Sequence, residues 1–198
     1  MKLVLASDNA HKLSEFRKLF RTMDVELLSK AEAGVSGDVE ETGETFAENA
    51  YIKAEAVMRA SGLPAVADDS GLAVDALDGA PGVRSARYMG DHSDSDEARY
   101  RLLLQNLGDR SDRDARFVCA LCCVFPDGNI LRAEGVCEGR ILYAPRGENG
   151  FGYDPIFQPE GFDRSMAELT MEEKNAVSHR GRALRIFRRE WEKTYADK

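Results

Sequence analysis

The sequence predicts an α/β protein built on a mixed β-sheet. Buried strands and amphipathic helices intermix along its 198 residues, which is typical of helices packed on a sheet. The segment 115–125 is apolar at most positions, as expected for a central strand covered on both faces. The turn Pro126-Asp127-Gly128-Asn129 joins it to a strand at 130–138, which adds an antiparallel hairpin.

The first elements are predicted to be a strand, a polar turn and an amphipathic helix. The strand is Lys2–Ala6, and the turn is Ser7–His11. The apolar residues of the helix recur at helical spacing: Leu13, Phe16, Leu19 and Phe20. A second strand is expected at Val25–Leu28, followed by a glycine-rich acidic loop at 30–44.

A second helix and a short strand are predicted to lead to a pair of aspartates. Thr45-Phe46-Ala47-Glu48 is a capping-box pattern, so a helix should start here and reach about Ala60, with Gly62 after its end. Ala65–Ala67 is predicted as a short buried strand that ends at Asp68-Asp69.

A third helix is predicted to end at Leu107, with Gly108 closing it. Ser93 or Ser95 is expected to cap its N-terminus.

Length and composition favour a single domain over 1–198. The chain is 43% hydrophobic and 31% charged, with a net charge of −8, so a nucleic-acid polymer is not an expected partner. The start MKLVLAS is too short for a signal peptide and FVCALCCVF is too short for a membrane span. We therefore expect a cytoplasmic protein without membrane contact. The cysteines are expected to be buried reduced thiols rather than metal ligands: Cys119, Cys122, Cys123 and Cys137.

Two adjacent aspartates, Asp68 and Asp69, follow the buried strand in the stretch ADDSG. Carboxylates that are close together and partly buried are unfavourable unless a cation lies beside them. Mg²⁺ prefers oxygen ligands, usually one or two carboxylates with substrate phosphate and water, and a second carboxylate can orient or deprotonate a water. The pair indicates a metal-assisted site, and the alternative is an Asx-type turn at a strand end.

The segment SDNAHK at 7–12 joins a strand to a helix N-terminus. Backbone N–H groups and the positive end of the helix dipole suit phosphate there, and Ser7, Asn9 and Lys12 add donors. The alternative is that Asn9 only caps the helix and Lys12 is solvated. The pattern of a P-loop is absent from the sequence.

Acidic residues also precede the second helix. Glu40 and Glu41 have no cationic neighbour in sequence, whereas the capping box already explains Glu48. One of these loop glutamates fits as the partner of a strand-end aspartate at a metal. Asn49 and Lys53 are four residues apart and share one helix face, although a solvated helix is the alternative.

The loop PRGENGFGYDPIF at 145–157 is rich in glycine and aromatic residues. Gly147, Gly150 and Gly152 let the backbone approach a ligand closely, and Phe151 and Tyr153 suit stacking on a planar base. The alternative is a plain loop whose aromatic side chains belong to the core.

The C-terminal region combines a second capping box with basic residues. The box is Thr170-Met171-Glu172-Glu173, and 174–195 is predicted to be mostly helical with a break near Ser178 or Gly181. The residues at the break are Lys174, Ser178, His179 and Arg180. Such a cluster can serve only as compensation of the helix dipole. Together with the other segments, however, it provides what a nucleoside triphosphate with Mg²⁺ requires.

Five segments resemble the inosine/xanthosine triphosphate pyrophosphatase family, the HAM1-like enzymes. They are SDNAHK at 7–12, EETGETFAENAYIKA at 40–54, ADDSGLAVDALDGAPGVRSARY at 67–88, GFGYDPIF at 150–157 and AELTMEEKNAVSHR at 167–180. They occur in the family's order and spacing. The resemblance implies Mg²⁺-dependent hydrolysis of ITP, dITP and XTP to the nucleoside monophosphate and pyrophosphate, which cleanses the nucleotide pool.

The resemblance also implies roles for individual residues. Glu41 and Asp69 would be Mg²⁺ ligands, with Asp69 also the catalytic base for the attacking water and Asp68 its support; whether Glu40 or Glu41 reaches the metal stays open. Substrate contacts are implied for a larger set: Ser7, Asp8, Asn9, Ala10, His11, Lys12, Lys53, Ser70, Phe151, Gly152, Tyr153, Asp154, Lys174, His179 and Arg180.

For the fold, the resemblance implies an elongated mixed β-sheet with two α/β lobes flanking a central substrate cleft, and a homodimer. A donor facing the purine 6-position would favour a 6-oxo base over adenine, and the candidates are Arg180, His179 or a backbone N–H near Phe151. Two alternatives are a pyrophosphatase for other modified or pyrimidine nucleotides and a non-catalytic nucleotide-binding protein.

Overall fold

The computed structural model describes residues 1–21, 23, 25–90 and 94–195. Within these ranges it does not describe five side chains: Ala10, His11, Glu15, Leu19 and Tyr195. Ser93, one of the two predicted helix caps, lies outside the described residues. The chain divides into two compact units. The first comprises Met1–Asp69, Ala120–Glu134 and Ala183–Lys198, and the second comprises Ser70–Cys119 and Gly135–Arg182.

The helices and strands of the described chain follow the predicted order closely. They are β1 (Lys2–Leu5), α1 (Ala10–Phe20), β2 (Glu26–Leu28), α2 (Phe46–Ser61), β3 (Ala65–Val74), α3 (Asp96–Leu107), β4 (Asp114–Val124), β5 (Ile130–Ile141), β6 (Phe157–Pro159), α4 (Met171–Val177) and α5 (His179–Tyr195).

The strands form a mixed sheet in the order β2-β1-β3-β4-β5-β6. β1 runs parallel to both β2 and β3, with Val4 opposite Ala65, whereas β5 and β6 are antiparallel. The predicted hairpin joins β4 to β5, and the Phe125 N–H donates to the Asn129 carbonyl oxygen at 3.0 Å. The mixed sheet and the interior position of β4 are therefore confirmed. The cleft between two lobes stays a prediction.

The prediction for the strand before the paired aspartates is wrong. We expected a strand at Ala65–Ala67 followed by a turn, but β3 continues through Asp68, Asp69 and Ser70 to Val74. Aspartate and glycine are depleted in strands, which is why the sequence indicates a turn. Pairing with β1 and β4 and lysine partners for both carboxylates overcome that preference.

Helix ends follow the predicted caps. The Thr45 hydroxyl accepts from the Glu48 N–H at 3.1 Å and the Glu48 carboxylate accepts from the Thr45 N–H at 3.0 Å, which is a complete capping box. Ser95 caps α3 by accepting from the Ala98 N–H. The break in the C-terminal helical region falls at Ser178, between α4 and α5.

In the first unit, the small residues of α2 pack on the sheet. Ala50, Ala54 and Val57 lie in one cluster with Ala65 and Ala67 of β3. This packing fixes which face of β3 looks toward α2. A separate aromatic group joins α1 to α5, with ring centroids 5.9 to 6.3 Å apart. Its members are Phe16, Phe20, Phe187 and Trp191.

The second unit has its own apolar core, in which α3 packs with strand residues. The buried residues include Leu72, Leu103, Leu107, Phe117, Ile141, Tyr153 and Phe157. All four cysteines are buried free thiols, as predicted. No helix in the described part of the chain is long and apolar enough to span a membrane.

Candidate active site

The paired aspartates avoid each other because they lie in a strand. Successive strand residues point to opposite faces of the sheet, so Asp69 shares the face of Ala65 and Ala67, which look toward α2. Asp68 looks to the other face. Its Oδ1 lies 2.9 Å from the Nζ of Lys12, in the first turn of α1. Each buried carboxylate thus has an ammonium group from a different helix.

Asp69 and Glu41 share one cation. The Nζ of Lys53, on α2, lies 3.2 Å from Asp69 Oδ1 and 2.6 Å from Glu41 Oε1. Glu41 arrives from the loop before α2, whereas the side chain of Glu40 is exposed. The structure therefore brings Glu41, and not Glu40, to this cluster. We refer to Lys12, Glu41, Lys53, Asp68 and Asp69 as the carboxylate–lysine cluster.

The pKa values of the cluster reflect burial and mutual charge. Burial raises the pKa of Asp69 above its ordinary value, and the ammonium of Lys53 offsets only part of this rise. For Lys53, burial alone lowers the pKa, but the charge of Asp69 and the hydrogen bond with Glu41 more than compensate, so its pKa is raised. Lys53 is therefore charged at neutral pH.

One oxygen of Asp69 is left for a ligand. Asp69 Oδ2 is buried and makes no hydrogen bond within the described residues. The neighbouring amide of Asn49 lowers the pKa of Asp69. Asn49 Nδ2 is itself buried and makes no hydrogen bond within the described residues. No group of three or more metal-binding side chains occurs in the described residues. Glu41 and Asp69 are thus two oxygen donors, a set that suits an ion such as Mg²⁺ whose other ligands are phosphate and water.

The segment 7–12 is organised as a helix cap. Asn9 Oδ1 accepts from the Lys12 N–H at 3.1 Å, and the Ser7 hydroxyl accepts from the Asn9 N–H at 3.2 Å. The capping role of Asn9 is confirmed, whereas Lys12 is not simply solvated because it pairs with Asp68. Ala10 and His11 lie at the start of α1, and their side chains are outside the described part of the structure.

Lys30 is a basic residue of this region that sequence reasoning missed. Its buried Nζ lies 2.5 Å from Asp8 Oδ2 and donates to the Gly37 carbonyl oxygen at 2.8 Å. It therefore ties the loop that carries Glu41 to the segment 7–12. The only sequence feature that could have indicated this role is the position of Lys30 at the start of an acidic loop. Its partner Asp8 is 22 residues away, so no local pattern reveals the pair.

In the second unit, Asp154 and Lys174 form a buried pair. Asp154 Oδ2 lies 2.5 Å from Lys174 Nζ and accepts from the Phe151 N–H at 2.9 Å. Burial raises the pKa of Asp154, and the charge of Lys174 and both hydrogen bonds offset part of this rise. This pair anchors the glycine-rich loop to α4.

Of the two aromatic residues predicted to stack on a base, Phe151 and Tyr153, only Phe151 presents its ring. Phe151 is 56% exposed, with Lys174 Nζ 4.8 Å and Arg180 Cζ 5.8 Å from its ring centroid. Tyr153 belongs to the core, and its hydroxyl donates to the Ser85 carbonyl oxygen at 2.9 Å. The structure thus divides the predicted aromatic pair into one exposed platform and one core residue.

The backbone donors near Phe151 are already engaged. The Phe151 N–H donates to Asp154, and the Gly152 N–H donates to Asp96 Oδ2 at 2.6 Å. Asp96, on α3, is a second residue that the sequence did not reveal. His179 is buried, and its ring stacks on Phe117 at 4.8 Å. Arg180 is buried beside the Phe151 ring.

The described residues contain paired carboxylates with lysine partners, a helix N-terminus beside them and, separately, an aromatic–basic cluster of Phe151, Lys174 and Arg180. This combination defines an α/β protein that handles nucleotide phosphates. Ser70 follows Asp69 in β3 and is partly buried.

The sequence model of the Ham1 family matches residues 3–190. The chain belongs to this family.

Known relatives are similar along nearly the whole chain. The dITP/XTP pyrophosphatase of Gluconobacter oxydans is 52% identical over 186 residues, which cover 94% of this chain and 88% of that protein. The dITP/XTP pyrophosphatase of Streptomyces coelicolor is 51% identical over 190 residues, with 94% of both chains covered. The solved structure of the Staphylococcus aureus Ham1 protein has a TM-score of 0.92 at 42% identity, covering 98% of this chain and 100% of that one. The predicted family and fold class are confirmed.

Proposed function

We propose that this protein hydrolyses non-canonical purine nucleoside triphosphates (dITP, ITP and XTP) to the nucleoside monophosphate and pyrophosphate in a Mg²⁺-dependent reaction. Relatives that share half of its residues over nearly their whole length are dITP/XTP pyrophosphatases. The structural observation that carries the proposal is Asp69, a buried carboxylate with one oxygen on Lys53 and the other without a hydrogen bond in the described residues.

Glu41 and Asp69 would hold Mg²⁺. Their oxygens already lie around a single cation, the ammonium of Lys53, so they are close enough to share a metal. When bound, the ion would neutralise charge on the triphosphate, which phosphoryl transfer chiefly requires.

The remaining residues of the carboxylate–lysine cluster would bind phosphate and activate water. Lys12 and Lys53 are the ammonium groups nearest the carboxylates, and the N-terminus of α1 offers backbone N–H donors. Asp69 is our candidate for the base, because its second carboxylate oxygen makes no hydrogen bond within the described residues and can accept a proton from the attacking water. Asp68, held by Lys12, would keep that ammonium group in place.

The aromatic–basic cluster would bind the base. We assign stacking on the purine to Phe151 because Tyr153 is in the core. Arg180 is our candidate donor to the 6-oxo group, since the backbone N–H groups of Phe151 and Gly152 are engaged. Adenine would leave that donor unpaired, which can lower the rate by several orders of magnitude.

The test is product analysis with a matched pair of variants. The purified protein is incubated with Mg²⁺ and, separately, dITP, ITP, XTP, GTP and ATP, and pyrophosphate and orthophosphate are measured apart. We expect pyrophosphate from the first three only, with losses of at least about 100-fold in Asp69→Asn and Glu41→Gln. Glu40→Gln is the control and should retain activity, because Glu40 is exposed.

Different results would contradict different parts of the proposal. Pyrophosphate from all five nucleotides would refute the selectivity. Orthophosphate alone, or tight binding of dITP without any product, would refute the reaction. We also propose a cytoplasmic homodimer, as the family resemblance implies; sedimentation equilibrium of the full chain showing only monomer at micromolar concentration would overturn the dimer.

A further inference from the structure

Lys53 lies where a divalent cation is expected. Its ammonium group contacts one oxygen of Glu41 and one of Asp69, and its side chain is only 14% exposed. A metal bound by these two carboxylates, even through Asp69 Oδ2, would place a divalent charge beside the Lys53 ammonium group, so the two cations compete for the same pair of carboxylates. The lysine and the metal therefore cannot both keep their full set of contacts.

The two ammonium groups offset most, but not all, of the carboxylate charge of the cluster in the nucleotide-free protein. Three carboxylates (Glu41, Asp68, Asp69) face two ammonium groups (Lys12, Lys53), which leaves a net charge of −1. A divalent ion would reverse this charge to +1, whereas a triphosphate alone would add four negative charges to a cluster that is already negative. Metal and triphosphate together add two negative charges instead of the four that the triphosphate adds alone, so a bound metal lowers the electrostatic cost of binding the nucleotide.

We propose that Lys53 is an internal substitute for the divalent cation. In the nucleotide-free protein it holds Glu41 and Asp69 together, and it moves to a phosphate oxygen when the metal–nucleotide complex binds. The inference rests on the proposed metal role of Glu41 and Asp69. Its consequence is that metal and nucleotide bind with strong positive coupling, each increasing the affinity of the other by the same factor.

The two lysines of the cluster provide a matched comparison. Lys12 contacts Asp68, which is not a proposed metal ligand, whereas Lys53 contacts both proposed ligands. Removing either ammonium makes the cluster more negative by one unit. Only removal of Lys53 also frees the oxygens that the metal needs. A long-range charge effect would change both variants alike, and direct competition would change one.

The experiment measures Mn²⁺ binding to the full chain without nucleotide, by electron paramagnetic resonance of the free ion. We expect Lys53→Met to bind Mn²⁺ at least tenfold more tightly than the wild type. Lys12→Met should tighten Mn²⁺ binding clearly less than Lys53→Met does, and Lys53→Arg, which keeps the charge, should bind Mn²⁺ as weakly as the wild type. An α,β-imido analogue of dITP, which resists cleavage, should tighten Mn²⁺ binding by the wild type at least tenfold after subtraction of the Mn²⁺ that the analogue binds without protein.

Two results would overturn the inference. The first is that Lys53→Met binds Mn²⁺ no more tightly than Lys12→Met does. The second is that the analogue leaves Mn²⁺ binding by the wild type unchanged although the wild type still hydrolyses dITP. Absence of both Mn²⁺ binding and pyrophosphate release would instead refute the proposed function. If Lys53→Met is too unstable for the binding assay, its thermal unfolding is measured at rising Mn²⁺ concentration: Mn²⁺ must raise its Tm more than that of the wild type, and failure to do so also overturns the inference.

Discussion

The buried pair of Asp154 and Lys174 allows a stability prediction that is independent of catalysis. Lys174→Met leaves the Asp154 carboxylate buried with the Phe151 N–H as its remaining hydrogen-bond donor within the described residues. Removing one partner of a buried ion pair costs about 3–5 kcal/mol. The Asp154 side chain is 5% exposed, so water cannot replace the lost ammonium. We expect the free energy of unfolding at pH 7 to fall by that amount.

The loss should depend on pH in a defined direction. Burial already raises the pKa of Asp154 in the folded protein, and loss of Lys174 raises it further. A carboxylate whose pKa is higher in the folded than in the unfolded protein binds more protons in the folded state. It therefore does not destabilise the protein below its unfolded-state pKa. The loss of stability grows as the pH rises from that value to the folded-state pKa. Relative to the wild type, the variant should therefore recover part of the lost stability between pH 7 and pH 5, because its buried Asp154 carboxyl group becomes protonated in the folded protein.

Urea unfolding at pH 7 and pH 5 measures both effects. Arg164→Met is the control, because the ion pair of Arg164 with Glu173 is more than a third exposed and should contribute at most about 1 kcal/mol. A loss below about 1 kcal/mol for Lys174→Met at pH 7 would refute the reasoning, as would an equal loss at both pH values.

Three further predictions concern other contacts. Arg113→Met should lower the free energy of unfolding by about 3 kcal/mol, because this buried guanidinium donates to four backbone carbonyl oxygens. Urea unfolding measures the loss, and a value within experimental error of zero would disprove the prediction. Phe151→Leu should raise KM for dITP about tenfold with little change in kcat, because stacking of a base on an aromatic ring contributes about 1–3 kcal/mol. In steady-state kinetics, a fall in kcat without a rise in KM would argue against the stacking role. Lys30→Met should raise KM because the carboxylate of Asp8 then lies uncompensated beside the phosphate segment, and combining it with Asp8→Asn should restore KM; steady-state kinetics that show no restoration would contradict this.

The elements with strong local signals were predictable from the sequence. Capping boxes at Thr45 and Thr170, the hairpin turn after Phe125 and the helix break at Ser178 depend on residues within a few positions of one another. Such signals act through side chains that bond to the nearby backbone. For the site, the family resemblance supplied Glu41, and the structure brings it to Lys53.

The features that were missed depend on contacts distant in sequence. The extension of β3 requires Lys12 and Lys53, which lie 56 and 16 residues from the aspartates they neutralise. A local propensity cannot include that compensation. The burial of Tyr153, which the sequence left as an alternative, and the contacts of Lys30 are likewise decided by tertiary packing.

The alternation of Asp68 and Asp69 along β3 restricts how this part of the chain can change in length. Removing a single residue between Ala65 and Asp68 would move each carboxylate to the opposite face, so that Asp69 would look away from Lys53. Removing two residues would preserve the faces. Viable insertions and deletions here must therefore come in even numbers, whereas the loop that delivers Glu41 has no such parity to maintain.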